Sequence, residues 1–419
     1  MKGPSIQRMA AAAWAVCLIC FVSVHAAGFA DGAMPEERFF RTLHAGTYTD
    51  IHTIVPLADG GMIAGGLAYN SGGVENGILV RYDADGEAVW EQRFTGDVIP
   101  AVIESGDGVY SGITYMTPLT YASHAAYENV TGTSTLFSVT GDGDILYVAE
   151  LDNARASDIR AAPDGGVMVT GWLWVTDDGY AGFLSKYAAD GTFEWTVTYP
   201  GLIPHALIMA PDGGWILAGA TTPLPETPTD GWMLRTGSDG TEMWRQTYPG
   251  TAAFTVLDTP AGGYLVGGGT QSLVSYTGDA WFMLTDETGA RISSSQPGGV
   301  ALYDSAEMPG TGYVFAGKWA DSGALLFVGY DGGEFGVIVR DDADGRLNTV
   351  TVAGETIVAG GWERISSNIK GVIIGYPVPE GPAQTTVPTT LPSPTQTPGF
   401  AAAACCAGIF GAALLLGRR

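Results

Sequence analysis

The polar residues whose spacing best suits binding chemistry occupy one equivalent position in a repeated sequence unit. Aligning the first predicted strand of each unit places there, in chain order, Thr53, Pro100, Asp158, Ala206, Thr255, Asp304 and Asn348. If the units form a ring, these seven side chains surround the mouth of its central channel. Asp158, Asp304 and Asn348, with Thr53 and Thr255 beside them, can then hold a cation or sugar hydroxyls. A solvated polar mouth is the alternative.

A second candidate binding surface is an insertion in the second repeat, residues 117–133. It carries Tyr121, His124 and Tyr127, and Asn129-Val130-Thr131 is an N-glycosylation sequon, which predicts an exposed loop with Asn129 as the acceptor. Long loops in compact folds are either functional or merely mobile, and the sequence leaves both interpretations open.

The sequence carries little other chemistry. It has no His-Glu-x-x-His, Gly-x-Ser-x-Gly or phosphate-loop motif. His44, His52, His124 and His205 lie in different repeats, where lone histidines are more often structural. Asp-x-Asp-Gly turns such as residues 83–86 lack the further ligands of a calcium loop. We therefore predict no catalytic residue, no metal site and no cofactor.

The elements that position these residues follow from the repeat. The segment 163–171 contains an Asp-Gly-Gly turn, followed by a short apolar strand that ends in glycine. Copies close at Gly65, Gly112, Gly171, Gly219, Gly267, Gly317 and Gly360, with spacings of 43 to 59 residues. Four short antiparallel strands fit each repeat, which is typical of a propeller blade. We predict an all-β protein with a single seven-bladed β-propeller over residues 36–376.

The two ends of this segment complement each other. The seventh repeat has only three predicted strands before the chain turns Thr/Pro-rich, whereas residues 37–46 resemble the fourth strands at residues 90–96 and 244–250. A sheet left open would expose an edge, which natural proteins avoid. We therefore predict that the N-terminal strand closes the last blade.

An aromatic residue follows the turn into the fourth strand at a fixed distance, as Trp90, Trp195 and Trp244, with Tyr147 in the second repeat. We interpret these rings as blade-to-blade packing. The pattern resembles the blade repeat of pyrroloquinoline-quinone-type and related bacterial and archaeal propellers. The quinone-dependent dehydrogenases of this kind hold their cofactor with a calcium ion and usually adjacent cysteines, and the middle of this chain has no cysteine.

The two ends of the chain predict the cellular location of the protein. Residues 1–26 have the order of a secretory signal peptide, followed by a short leader, 27–35. Residues 377–397 form a Thr/Pro-rich stalk, and residues 398–419 hold Pro398-Gly399-Phe400, an apolar run and two arginines. This tail resembles the archaeal PGF-CTERM sorting signal, which implies an archaeosortase partner and a lipid anchor. An ordinary transmembrane anchor is the alternative, and both predict a domain on the extracellular face of the cytoplasmic membrane.

The formal net charge of −25 makes a polyanionic nucleic acid an unfavourable partner. The leading hypothesis is a non-catalytic cell-surface binding module for a glycan or an envelope protein. One alternative is an extracellular polysaccharide-acting enzyme with two carboxyl groups at the channel mouth, roughly 5–10 Å apart. Another is a structural component of the envelope.

Overall fold

The computed structural model describes residues 35–43, 48–69, 75–94, 98–115, 133–175, 179–221, 229–270, 279–299, 301–340, 344–365 and 368–381. All regular secondary-structure elements in these ranges are β-strands. The candidate loop residues Tyr121, His124, Tyr127 and Asn129 and the sorting motif Pro398, Gly399 and Phe400 lie outside them. No helix within these ranges is long and apolar enough to cross a membrane.

The strands follow the sequence repeats. A first strand, β1 (Phe39–Leu43), precedes them. Repeat one forms β2 (Tyr48–Pro56), β3 (Met62–Tyr69), β4 (Glu75–Tyr82) and β5 (Ala88–Phe94). Repeat two forms β6 (Val98–Gly106), β7 (Val109–Tyr115), β8 (Ser134–Thr140) and β9 (Ile145–Leu151). Repeat three forms β10 (Ala154–Ala161), β11 (Val167–Val175), β12 (Gly179–Tyr187) and β13 (Phe193–Pro200).

The later repeats continue the pattern. Repeat four forms β14 (Ile203–Met209), β15 (Trp215–Ala220), β16 (Gly231–Thr236) and β17 (Glu242–Tyr248). Repeat five forms β18 (Ala252–Asp258), β19 (Tyr264–Gly269), β20 (Ala280–Thr285) and β21 (Arg291–Ser295). Repeat six forms β22 (Ala301–Met308), β23 (Gly312–Trp319), β24 (Ser322–Val328) and β25 (Glu334–Val339). Repeat seven forms β26 (Gly345–Ala353), β27 (Thr356–Ile365) and β28 (Asn368–Pro377).

The architecture is an all-β propeller of four-stranded antiparallel units, as predicted, but its sheets do not separate into seven. Repeats two to six form five separate four-stranded sheets, and the remaining eight strands form one sheet. In that sheet β2 to β5 are one antiparallel unit and β26, β27, β28 and β1 are another, joined by a single parallel pairing of Tyr48 with Ile369. The two units merge because β1 pairs only with residues 371–375 of β28. Ile369 therefore lies beyond the end of β1 and pairs with Tyr48 of the other unit.

The prediction that the N-terminal strand completes the last repeat is confirmed. β1 pairs antiparallel with β28 from Phe39 opposite Gly375 to Leu43 opposite Gly371. Just before β1, Glu37 forms an ion pair with Arg340, which also binds the buried carboxylate of Glu363 in β27. β1 and the residues just before it are therefore joined to the last repeats both by a strand ladder and by a charged cluster.

The first strands of the seven repeats form the innermost ring. Each of them contacts the next around the ring, and β26 contacts β2. All seven carry a β-bulge against their second strand, where the register shifts. A bulge leaves an extra residue unpaired and redirects its side chain. The bulges therefore decide which side chains reach the centre of the ring.

Several glycines of the second strands, including Gly171 and Gly219 of the recurring set, are explained by these bulges. A Cβ atom on Gly171 would lie much closer than 3.0 Å to the carbonyl oxygen of Arg155. Arg155 comes two residues before the bulge residue of its strand. Gly219 has the same relationship to Ile203, and Gly361 to Arg346. Only a residue without a side chain accommodates the bulged first strand at this point.

The prediction for the aromatic residues of the fourth strands is also confirmed. The ring of Trp90 lies against Gly143 in the next repeat, and its Nε1 donates a hydrogen bond of 2.9 Å to the carbonyl of Gly141. Tyr147, Trp195 and Trp244 lie in the same way against the turn glycines Gly191, Gly240 and Gly289 of the following repeats. These contacts pack each repeat against its successor.

Candidate functional site

The bulged residues converge on a central cavity of about 310 Å³, enclosed by the ring of first strands. One or two residues at each bulge reach its lining: His52, Pro100, Ser157, His205, Phe254, Tyr303 and Asn348. This volume lies at the lower end of the roughly 300–1,000 Å³ typical of small-molecule pockets. A ligand about the size of one sugar ring fits such a space.

The structure places all seven aligned sequence positions in the lining of this cavity. Thr53, Asp158, Thr255 and Asp304 follow directly after the bulge residue of their strands, and Asn348 is itself a bulge residue. The alignment therefore identified residues that the fold brings together. Contact of these residues with a ligand stays a prediction.

The polar atoms of the residues that follow the bulges are engaged with the next repeat. Asp158 Oδ2 accepts a hydrogen bond of 2.8 Å from the backbone N–H of Leu207, and Asp304 Oδ2 accepts one of 3.0 Å from Val350. In the same arrangement Thr53 Oγ1 accepts from Val102 at 3.3 Å. The hydroxyls of Thr255 and Ser305 lie 2.6 Å apart. These side chains therefore join neighbouring first strands.

Both aspartates are also bound within their own strands. Asp158 Oδ1 accepts from the amide of Ile159 at 2.8 Å and pairs with Arg160 Nη1 at 2.5 Å, and Asp304 Oδ1 accepts from the amide of Ser305 at 2.8 Å. Burial raises the pKa of each carboxyl group above its ordinary value, against the opposing effects of Arg160 and of the backbone donors. All four carboxylate oxygens thus have a protein partner.

A fully buried aspartate that the sequence did not single out lies behind the cavity. Asp50 pairs with Arg346 Nη2 at 2.9 Å and with His52 Nε2 at 3.3 Å, and it accepts a hydrogen bond of 2.6 Å from Asn348 Nδ2. Burial opposes its charge, but His52 and Arg346 outweigh that effect and hold the pKa of Asp50 below its ordinary value. This cluster orients three lining side chains and joins repeat seven to repeat one.

An aromatic arc forms one wall of the cavity. It consists of the consecutive bulge residues His205, Phe254 and Tyr303 in repeats four to six. The rings of His205 and Phe254 meet edge to face with centroids 5.6 Å apart, and those of Phe254 and Tyr303 are stacked at 6.4 Å. Such a wall offers an apolar face with a polar edge. Sequence reasoning missed it because these positions do not align with the polar ring.

Arginines supply the cationic groups of the lining. Arg155 lies over the ring of Tyr115 at 4.2 Å, and Arg346 lies over Tyr303 at 5.9 Å. Burial, with a further contribution from Arg155, lowers the pKa of His205 to about 3. The imidazole is therefore neutral at physiological pH and carries one donor and one acceptor nitrogen, whereas the guanidinium groups keep their charge.

The described residues contain no group of three or more His, Cys, Asp or Glu side chains that could hold a metal ion. The lining chemistry is instead a mixture of aromatic, imidazole, hydroxyl, amide, carboxylate and guanidinium groups. Together, the fold and this cavity define a β-propeller with a ligand-sized central pocket.

Comparisons with known proteins agree with the fold. A family model described as a domain of unknown function (DUF5122) beta-propeller matches residues 57–88. The WD40 beta propeller domain of Doa1 is similar at a TM-score of 0.53 and 13% identity, over 81% of this chain and 97% of that one. Sqt1 from Chaetomium thermophilum has a TM-score of 0.49 at 13% identity, over 86% and 88% of the two chains. No curated protein matches the sequence.

Proposed function

We propose that this protein is a non-catalytic binding module of the cell surface and that its ligand is a glycan or envelope component which inserts a ring-sized group into the central cavity. The observation that carries the proposal is the convergence of the bulge residues, above all the arc of His205, Phe254 and Tyr303, on one cavity of about 310 Å³. Stacking of an apolar ring face on aromatic side chains, with hydrogen bonds around it, is how proteins commonly hold small polar ligands.

The proposed location rests on the chain ends. A signal-like segment at residues 1–26, a Thr/Pro-rich stalk at 377–397 and the Pro-Gly-Phe tail at 398–419 favour a lipid-anchored or membrane-anchored domain held away from the membrane. Processing by an archaeosortase-type enzyme belongs to the same proposal, as does an archaeal source. N-glycosylation at Asn129 and ligand contacts from Tyr121, His124 and Tyr127 are further parts of it.

The enzyme alternative receives no comparable support. A glycosidase needs one carboxyl group to donate a proton and another to act as base or nucleophile. In this cavity the oxygens of Asp158 and Asp304 hold backbone amides of the first strands. The geometry therefore favours recognition by the arc and its polar neighbours.

A glycan array probed with the purified full-length protein, with and without calcium, tests the proposal. We expect a saturable ligand whose affinity falls at least tenfold in Phe254→Leu, because the middle of the arc is removed. Phe193→Leu is the matched control, since Phe193 is 54% exposed on an outer strand, and it should bind normally. A blank array would contradict a glycan ligand, and equal binding by both variants, while both melt like the parent protein, would contradict a cavity ligand.

A further inference from the structure

The cavity lining is less acidic than the chain as a whole. The chain has 44 acidic and 19 basic residues, whereas three arginines and two aspartates line the cavity and a third aspartate, Asp50, lies behind it and pairs with Arg346. Residues distributed at random over this sequence would give an acidic lining. An anion is therefore repelled less strongly in this cavity than at the acidic outer surface.

The orientation of the charged groups brings the guanidinium groups to the surface of the cavity. Asp158 and Asp304 direct their oxygens into the backbone N–H groups of the first strands, at 2.8 to 3.0 Å. Arg160 pairs with Asp158, but its side chain remains 37% exposed whereas that of Asp158 is 9% exposed. The carboxylates are thus withdrawn into the wall, while the guanidinium groups form part of the cavity surface.

The register of the first strands assigns the arginines to defined levels. Arg155 and Arg346 each precede the bulge residue of their strand by two positions, so both lie at one end of the cavity. Arg160 comes five residues after Arg155, which at a rise of about 3.3 Å per residue places it towards the other end. The aromatic arc lies between these levels, at the bulge positions.

The neighbours of Arg155 suit an anion that carries a ring. Arg155 lies over Tyr115 at 4.2 Å, and this packing fixes the plane of the guanidinium group, which binds carboxylates through two parallel hydrogen bonds. His205, which opens the arc in the next repeat, is close enough for the charge of Arg155 to influence it. The neutral imidazole adds a hydrogen bond without adding a titrating charge.

We propose that the cavity recognises a sugar acid, a ring that carries one carboxylate, with the carboxylate at the Arg155 and Arg346 end and the ring face against His205, Phe254 and Tyr303. This inference rests on the proposed binding function and specifies its ligand class. Ser157 and Asn348 of the same bulge ring also line the cavity, where Ser157 Oγ donates to the carbonyl of Pro204 and Asn348 Nδ2 donates to Asp50 and Ile51. The mouth of the cavity, not the acidic outer surface, then selects for charge.

Calorimetric titration of the full-length protein with D-glucuronate and, separately, with D-glucose tests this assignment. The two sugars share a ring and differ in the carboxylate. We expect glucuronate to bind at least tenfold more tightly, and Arg155→Gln to abolish that preference. Arg155→Lys keeps the charge but loses the planar fork, so it should retain part of the preference.

Arg245→Gln is the matched control because Arg245 lies on the outer strand β17 and pairs there with Glu242. It removes the same charge far from the cavity and should leave glucuronate binding unchanged. Equal affinity for the two sugars would overturn the sugar-acid assignment but leave the binding function intact. Absence of binding by both sugars would also overturn it, and the array would then decide separately on the binding function. Melting curves of all variants verify that they fold.

Discussion

The carboxylate of Asp158 in one sheet accepts the backbone N–H of Leu207 in the next sheet at 2.8 Å. Asp304 and Val350 repeat this relationship further round the ring at 3.0 Å. Separate sheets of a propeller share no strand ladder, so such bonds are a direct polar connection between their innermost strands. The acidic residues that look like binding groups in the sequence therefore also hold the ring together.

Replacing Asp158 with alanine should destabilise the domain by about 2–3 kcal/mol, because the buried Leu207 amide loses its acceptor and Arg160 loses its partner. Asp158→Asn, which keeps one acceptor oxygen, should cost less. Asp321→Ala is a suitable control, since Asp321 has a 91% exposed side chain, and should change stability by less than about 0.5 kcal/mol. Urea denaturation of the three variants measures the differences; equal stability of Asp158→Ala and the parent would refute the connecting role.

The same result decides how binding data on this residue are interpreted. If Asp158→Ala lowers both ligand affinity and stability, the loss of affinity follows from a loosened ring. A loss of affinity with unchanged stability would instead mean that the carboxylate touches the ligand, as the sequence pattern predicted.

Gly171→Ala should destabilise the protein by about 1–3 kcal/mol, because the added Cβ collides with the carbonyl oxygen of Arg155 and both strands must shift. Gly106→Ala provides the comparison: the nearest atom to its added Cβ is 3.6 Å away, and no positive φ is required there. Thermal melting should separate the two variants clearly. If both melt at the parent temperature, the bulge does not explain the recurring glycine.

Sequence reasoning recovered the repeat, the four-stranded units, the closing strand and the aromatic contacts between repeats. All of these depend on local patterns of turn glycines and alternating residues, which are visible in one chain. It also predicted that Asp158 and Asp304 lie at the central channel, and both line the cavity.

The aromatic arc and the buried Asp50 were not predictable in this way. Residues His52 and His205 looked like scattered histidines, but both are bulge residues and line the same cavity. A bulge interrupts the two-residue alternation of a strand, so adjacent residues such as His205 and Ala206 both reach the lining. Nothing in the sequence pattern marks where that interruption falls.

Deleting residues 36–46 should lower the melting temperature of the whole domain and broaden the transition. The deletion removes β1, leaves the edge of β28 unpaired and strips Arg340 of one of its two carboxylate partners. Differential scanning calorimetry of the full-length and shortened proteins measures the effect. Adding a synthetic peptide of residues 35–46 should partly restore the transition, because the peptide can pair with β28. An unchanged cooperative transition in the shortened protein would contradict the closure of the last repeat by β1.

The neutral state of His205 makes a prediction for the pH dependence of stability. Its pKa is lowered from an ordinary 6.5 to about 3 in the folded protein, so between these values the unfolded chain binds a proton that the folded chain does not. The stabilisation is therefore complete above pH 6.5 and is lost as the pH falls towards 3. Because cavity solvent reaches part of the ring, we expect a contribution of about 1–2 kcal/mol at pH 4.5 rather than the full value of the shift.

His205→Gln isolates this contribution, because glutamine preserves hydrogen bonding but does not titrate. Asp158 and Asp304, whose pKa values are raised by burial, change stability in the opposite direction as the pH falls, and they are present in both proteins. The difference in unfolding free energy between parent and variant should therefore shrink by about 1–2 kcal/mol from pH 7.5 to 4.5, in favour of the variant. A constant difference across that range would show that burial does not lower the pKa of His205 in the folded protein.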